Sequence, residues 1–364
     1  MNIPLPADAT LRPLELPARA DAGPSPAVRA YAAVRNEMLI EITGRDDDCL
    51  TAPELLTTLF STPDCDRRHW AIELDGDTVG RGALDILRDD GGETAFVTVA
   101  ALRRAWGRGI GPAAYAQIER VARDAGVRKL LNWSEHRDAE TPLPRIESPT
   151  GSGSAPLDRA ARFLQRTGFR LEQVERGSAL IWRDEVADRL HILRDDAAAH
   201  AADYRIVQWT MPTPDQCVDG YAWMKSRMST DVPDGDLGMP EETWDAERVR
   251  REGSRLMRRD WTLLVTAAQH IVSGALCAFN ELALGQDEAA STHQFDTLVL
   301  SEHRGHRLGM LVKTAGLLTW RDRHPLSPRV TTWNAEENRP MLSINEAIGF
   351  TPIAYEGAWR KDLT

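Results

Sequence analysis

The sequence predicts an α/β protein with mixed sheets, built as two tandem domains, and three observations carry that reading. The chain has 364 residues, more than one ordinary core accommodates, and the usual domain size of roughly 100–200 residues gives about two domains. One ordered series of helix, hairpin, long strand, loop, helix, strand and helix is legible twice. In each copy an apolar run gives way to a glycine- and arginine-rich loop and then to a helical pattern: "QFDTLVL" to "SEHRGHRLGM" (301–310), and "TAFVTVAAL" to "RRAWGRGIG" (103–111).

In the first half, "SPAVRAYAAVRNEMLIEI" has helical periodicity, "HWAIELDG" and "TVGRGALDIL" read as a hairpin turning at Asp75-Gly76, and "TAFVTVAAL" reads as a buried strand. The helix after the glycine loop lines up Ile110, Ala114, Ile118, Val121 and Ala122 on one stripe. "KLLNW" is a further strand, "TPLPRIESPTGSGSAPL" a turn-rich loop, and "LDRAARFLQRTGF" a helix stopped by Gly168. The second half repeats the series through "YRIVQWTMP", "DGYAWMKSRM", "WTLLVTA", "IVSGALCAFNEL", "HQFDTLVL", "RVTTWNA" and "NRPMLSINEAIGF". These patterns place one domain at 1–185, a linker with a central helix at 186–203, and a second domain at 204–364.

Bulk composition excludes several classes. A 42% apolar and 27% charged content is that of a globular protein. The net charge of −11 disfavours a nucleic-acid partner and favours a cationic small molecule. Cys49, Cys65, Cys217 and Cys277 stand far apart without a CxxC pair, so neither a zinc site nor a disulfide framework is expected. With no export signal and no long apolar window, the expectation is a cytoplasmic protein with no membrane partner. Lysine stands only at Lys129, Lys225, Lys313 and Lys361, so arginine carries nearly all the positive charge, an imbalance of coding before function.

The two loops have the makings of an anion seat. A helix start offers unpaired N–H groups and the positive end of its dipole, and glycines let a phosphate approach the backbone. Arg304 and Arg307, or Arg104 and Arg108, add charge-assisted bonds to a pyrophosphate; the structural alternative is a tight turn with its arginines in water. GxxxxGK[ST] is absent, and "GRGIG" is not the GxGxxG that opens a dinucleotide-binding unit.

Strand, glycine loop, helix, strand, an Asn-containing helix and "GF" together resemble the GNAT superfamily of acetyl-CoA-dependent N-acetyltransferases. "HRGHRLG" followed by "TWNAEENRPMLSINEAIGF" is similar to bacterial tandem members, with two GNAT-like domains in one chain. The resemblance implies acetyl-CoA as cofactor, with its pyrophosphate on a Gln/Arg-x-x-Gly-x-Gly/Ala loop. "RGHRLG", covering Arg304, Gly305, His306, Arg307, Leu308 and Gly309, keeps the first arginine and last glycine but puts Arg307 at the middle glycine. "WGRGIG" keeps Gly109 and Gly111, brings Arg108, and puts Trp106 where a charge is usual. That difference favours the C-terminal domain as the catalytic one. Pantetheine is implied along Leu298, Val299 and Leu300, and along Val97 and Val99 in the first half; core packing is the other use of these residues. Asn334 and Asn338 are further contact candidates, with strand-end and helix-cap roles as alternatives.

The chemistry so implied is direct attack of a small-molecule amine on the thioester. The family's tyrosine, four residues before the glycine of "GF", is replaced by Asn345 and by Leu164, so Asn345 is at most a positioning group. Asp296 and His293 are the candidates for the base, with a satisfied strand-edge polar residue as the alternative. Asp231, Asp234, Asp236, Glu241 and Glu242 crowd one loop, either to attract an ammonium group or as a solvated face. A monomer or homodimer is expected. The competing readings are a non-catalytic CoA-binding or interaction protein and an enzyme with the N-terminal domain active.

Overall fold

Local chemistry sets most element boundaries in the computed structural model, which describes residues 4–136 and 143–363. Ser25 accepts from the Val28 amide ahead of α1 (Pro26–Thr43), and Gly44 ends that helix in the left-handed region. A Thr51–Glu54 capping box starts α2 (Ala52–Leu59). The turn at Asp75-Gly76, both with positive φ, closes the expected hairpin of β2 (Cys65–Leu74) and β3 (Asp77–Leu87). A short strand absent from the expectation, β1 (Ala9–Pro13), pairs with β2.

The first unit continues through β4 (Thr94–Ala101), α3 (Ile110–Asp124) and β5 (Lys129–His136). Two three-residue strands, β6 (Arg145–Glu147) and β7 (Ser154–Pro156), pair within the turn-rich stretch. Asp158 caps α4 (Arg159–Arg166), and Gly168 follows its end with φ 93°. Then come β8 (Arg170–Ile181) and α5 (Asp184–Ala199). The second unit contains β9 (Tyr204–Thr210), α6 (Asp215–Asp231), α7 (Ala246–Met257), β10 (Thr262–His270), β11 (Leu276–Leu284), β12 (Thr292–Val299), α8 (Leu308–Arg323), β13 (Arg329–Ala335), α9 (Arg339–Ile348) and the start of β14 (Thr351–Asp362).

The contiguous division expected from sequence differs from the composition of the units. One consists of Met1–Val174, Asp234–Pro240 and Ala354–Thr364, the other of Glu175–Pro233 and Glu241–Ile353. The sheet of the first runs β1-β2-β3-β4-β5-β14, and that of the second β8-β13-β12-β11-β10-β9. The last strand of the chain thus completes the first sheet, with Tyr355–Asp362 antiparallel to 129–136 of β5. Most of β8 completes the second, with Ile181 to Glu175 against β13. Trp359 is fully buried in the first core beside Leu130, Phe169 and Leu171. Burying such a side chain fixes the exchange, since an indole left in water forfeits roughly 2–3 kcal/mol. The expected linker stretch is α5, whose Val186 and Leu190 join the core beneath α8 with Leu317 and Trp320.

Candidate active site

In each unit two parallel strands part. β4 and β5 pair only at Thr94–Lys129, Ala95–Leu130 and Phe96–Leu131, and β12 and β13 only at Thr292–Val330 and His293–Thr331. All four strands run on past these pairs, leaving edges whose amides and carbonyls can bond a peptide-like chain. In the second unit the register on β11 shifts between Asn280 and Leu282. This bulge turns both Phe295 and Asp296 to one face. The register of β4 on β3 is unbroken. Of the implied pantetheine residues, Leu298, Leu300 and Val97 are buried while Val299 and Val99 are half-buried, so packing accounts for much of their apolar character.

The loops after β4 and β12 share one backbone course. Trp106 and Arg304 are extended, Gly107 and Gly305 have φ of 79° and 88°, and Gly109 and Arg307 sit in the left-handed region at the helix start. Trp106 Nε1 donates to Ala101 O at 2.6 Å, and Arg304 Nε donates to Val299 O at 3.3 Å, the matching carbonyl. A Cβ on Gly107, Gly109 or Gly305 would meet nothing within 4 Å, so space stands open over these amides, as a bound diphosphate requires. Gly111 and Gly309 serve packing instead: a Cβ there would lie 3.8 Å from Phe163 and 3.0 Å from Ile344. Leu308 belongs to the core.

The cations of the loops are already engaged. Arg307 bonds Asp196 of α5, and Arg108 bonds Asp8. Arg304 is held more loosely, by Asp231 O at 3.3 Å and its carboxylate at 3.8 Å, and is the readier to turn to an anion. His303 Nδ1 lies 2.9 Å from Tyr204 Oη, and exposed His306 tilts against the Tyr204 ring at 5.4 Å. Asn338 caps α9 by accepting from the Met341 amide at 3.4 Å. Buried Asn345 donates to Asn334 Oδ1 at 2.7 Å, its own Oδ1 having no hydrogen-bond partner.

On the other face of β12 the structure gathers a group of which sequence reasoning named only Asp296. Tyr221 and Lys225 of α6 both donate to Glu281 of β11, Lys225 at 3.2 Å, and Lys225 also bonds Asp296. The Asp296 amide donates to Glu281 at 3.4 Å. Burial pushes the Glu281 carboxyl up, against the pull of Lys225, and Asp296 pushes it further in the same direction. Burial works against the Lys225 charge, but Asp296 and Glu281 outweigh it and raise its pKa. The signal was available: Tyr-x-x-x-Lys at 221–225 matches Tyr-x-x-x-Arg at 31–35, and "LCAFNELAL" sets a glutamate in an otherwise apolar strand. His293 is stacked on Trp261 at 5.5 Å and on half-exposed Phe295 at 6.2 Å. It therefore lies on an aromatic floor formed by Trp261 and Phe295.

Two carboxylates of the acidic loop are paired with arginines, and a third accepts from a backbone amide. Asp231 pairs with Arg227, Glu242 accepts from Trp244 and Arg248, and Asp234 accepts from the Met239 amide. Leu237 is buried with Leu131 and Ala358 in the first unit. Among the described residues there is no cluster suited to a metal ion, and no helix is long and apolar enough to cross a membrane.

Residues 36–142 match the sequence model of the acetyltransferase (GNAT) family. No curated protein sequence matches the chain. Among solved structures, a tandem GNAT protein from the clavulanic acid biosynthesis pathway, solved without AcCoA, is similar at a TM-score of 0.72 and 23% identity, covering 97% of this chain and 98% of that one. A GCN5-related N-acetyltransferase from Sphaerobacter thermophilus is similar at 0.60 and 14%, over 98% and 96%. The parted strands, the twice-built loop and these likenesses agree: residues 36–142 match the acetyltransferase (GNAT) family, and the chain has the fold of a tandem GNAT protein over nearly its whole length.

Proposed function

We propose that this chain transfers an acetyl group from acetyl-CoA to the amine of a small molecule by direct attack, in its C-terminal unit. The observation that carries this reading is that β12 parts from β13 between a helix-start anion seat on one side and the Glu281–Lys225–Asp296 group on the other. Gly305, His306 and the first amides of α8, with Arg304, would hold the diphosphate. The carrier, when bound, supplies the acetyl thioester. Two carboxylates share one ammonium in this group, so a protonated amine is attracted to its half-exposed member, Asp296. Glu281, whose carboxyl burial has pushed up, is suited to receive the proton that the amine must lose. Asn345 orients Asn334 beside the parted strand.

A second reading has its own support: the family match covers 36–142, and the first loop has two glycines with open space over them, Gly107 and Gly109, where the second has Gly305. Against it as the place of amine acetylation, Asn132 Nδ2 donates to Val97 O at 2.8 Å across the first wedge, so a thioester entering there must lie along other groups or displace that amide. The test is thiol release from acetyl-CoA with a panel of primary amines, joined to calorimetry. Arg304→Ala is expected to weaken the carrier binding that supports amine acetylation by about ten-fold, the size of one charge-assisted bond, and Gly109→Trp to leave that binding unchanged. The reverse order moves the reaction to the first unit, and no carrier binding in either unit ends the proposal.

A further inference from the structure

Three polar side chains stand in line in the first unit, in no role described so far. Ser134 Oγ lies 3.1 Å from His136 Nε2, and His136 Nδ1 lies 2.9 Å from Asp158 Oδ2. Strand alternation puts Ser134 and His136 on the same face of β5, and Asp158 arrives from the N-cap of α4, its other oxygen accepting from the Ala161 amide at 2.9 Å. His136 is buried and Ser134 half-buried. Burial would raise the Asp158 carboxyl, but His136 and the helix-start amides bring it below its usual value, so it stays ionised beside the ring.

The hydrogen positions follow from donor capacity. Trp359 Nε1, which can only donate, points at Ser134 Oγ from 2.9 Å. The serine hydrogen is therefore free to point at His136 Nε2, which accepts it in the tautomer that gives Nδ1–H to Asp158. One serine lone pair remains for bond formation. Ser134 also lies past Leu131, the last β5 residue paired with β4, on the open stretch of the wedge.

We propose that Ser134 is a nucleophile that takes the acyl group of an acyl thioester, with His136 as its base and Asp158 as the residue positioning His136. A bond forms between Oγ and the acyl carbon as the carbon–sulfur bond breaks. The serine proton passes to Nε2 and on to the departing thiolate, which leaves as thiol. Water or an amine then attacks the ester carbonyl and gives its proton to Nε2, and Oγ regains it as the acid or amide departs. The step goes beyond amine acetylation in the other unit and shares only the thioester donor with it.

The experiment treats the full chain with a fluorophosphonate probe and, separately, with acetyl-CoA, and locates any adduct by peptide mass mapping. The expected result is an adduct on Ser134 from both reagents, absent in Ser134→Ala. His136→Gln and Asp158→Asn should slow it by more than about ten-fold, and the asparagine can still cap α4. Folded wild-type protein with no adduct on Ser134 from either reagent overturns the proposal, as does unchanged labelling of His136→Gln. Thiol release with amines but no serine adduct removes the serine and leaves amine acetylation standing, whereas an adduct without amine turnover does the opposite.

Discussion

Lys313 lies on α8 with no exposed surface, its ammonium nitrogen 3.5 Å from the Met341 sulfur and 5.9 Å from the centre of the Phe350 ring. Among the described residues no carboxylate pairs with it, and burial lowers its pKa to about 7. One pKa unit is about 1.4 kcal/mol, so holding the charged form in place costs on the order of 4–5 kcal/mol. The folded pKa lies below the unfolded one, so the unfolded chain binds the extra proton between the two values. Stability therefore rises with pH from about 7 to the ordinary lysine range, and the full penalty applies below 7. Lys313→Met is expected to stabilise the protein most below pH 7 and least near pH 10, read from denaturant midpoints across that range. A gap independent of pH would mean that the amine keeps its charge in the fold. Nothing local marks this lysine in the sequence, because the helical stripe that buries it also accommodates a long side chain that reaches solvent.

At the scale of the element, the two loop-to-helix junctions show backbone geometry outlasting its sequence code. Gly109 and Arg307 hold the same left-handed position, with φ of 77° and 54°. That conformation costs an L-residue about 1 kcal/mol. Arg307→Gly removes this strain but adds about 0.5–1 kcal/mol of unfolded-state entropy, and the exposed pair with Asp196 adds little. The unfolding midpoint should therefore move by no more than about 1 kcal/mol, and carrier affinity by less than about three-fold, because Asp196 already holds the guanidinium. A ten-fold loss by calorimetry would instead show that Arg307 grips the diphosphate. These loops were legible because glycine, a helix start and an apolar strand are local signals. The acceptor face was half legible: Asp296 and His293 stood out on their strand, but Tyr221, Lys225 and Glu281 come from elements far apart in the chain and meet only through the α6–β11 packing.

For the whole molecule, the exchange of β8 and β14 governs what can be cut. A fragment ending at 203 lacks the strand that covers β5, along with Trp359 of its core. A fragment starting at 204 lacks the strand that covers β13. Each would expose an unpaired sheet edge, a known route to aggregation. Either fragment expressed alone should be insoluble, and co-expression should recover a folded complex; a soluble, cooperatively unfolding 1–203 fragment would refute this. The sequence by itself determined the twofold series, the hairpin at Asp75-Gly76, the helix stop at Gly168 and the glycine loops, since each follows from the chemistry of neighbouring residues. Only the tertiary structure decided which sheet receives the strand after each "GF", and which serine, histidine and carboxylates come within bonding distance. Strand alternation specifies the face that a residue presents but carries no record of the partner edge, which is chosen by burial among residues distant in the chain.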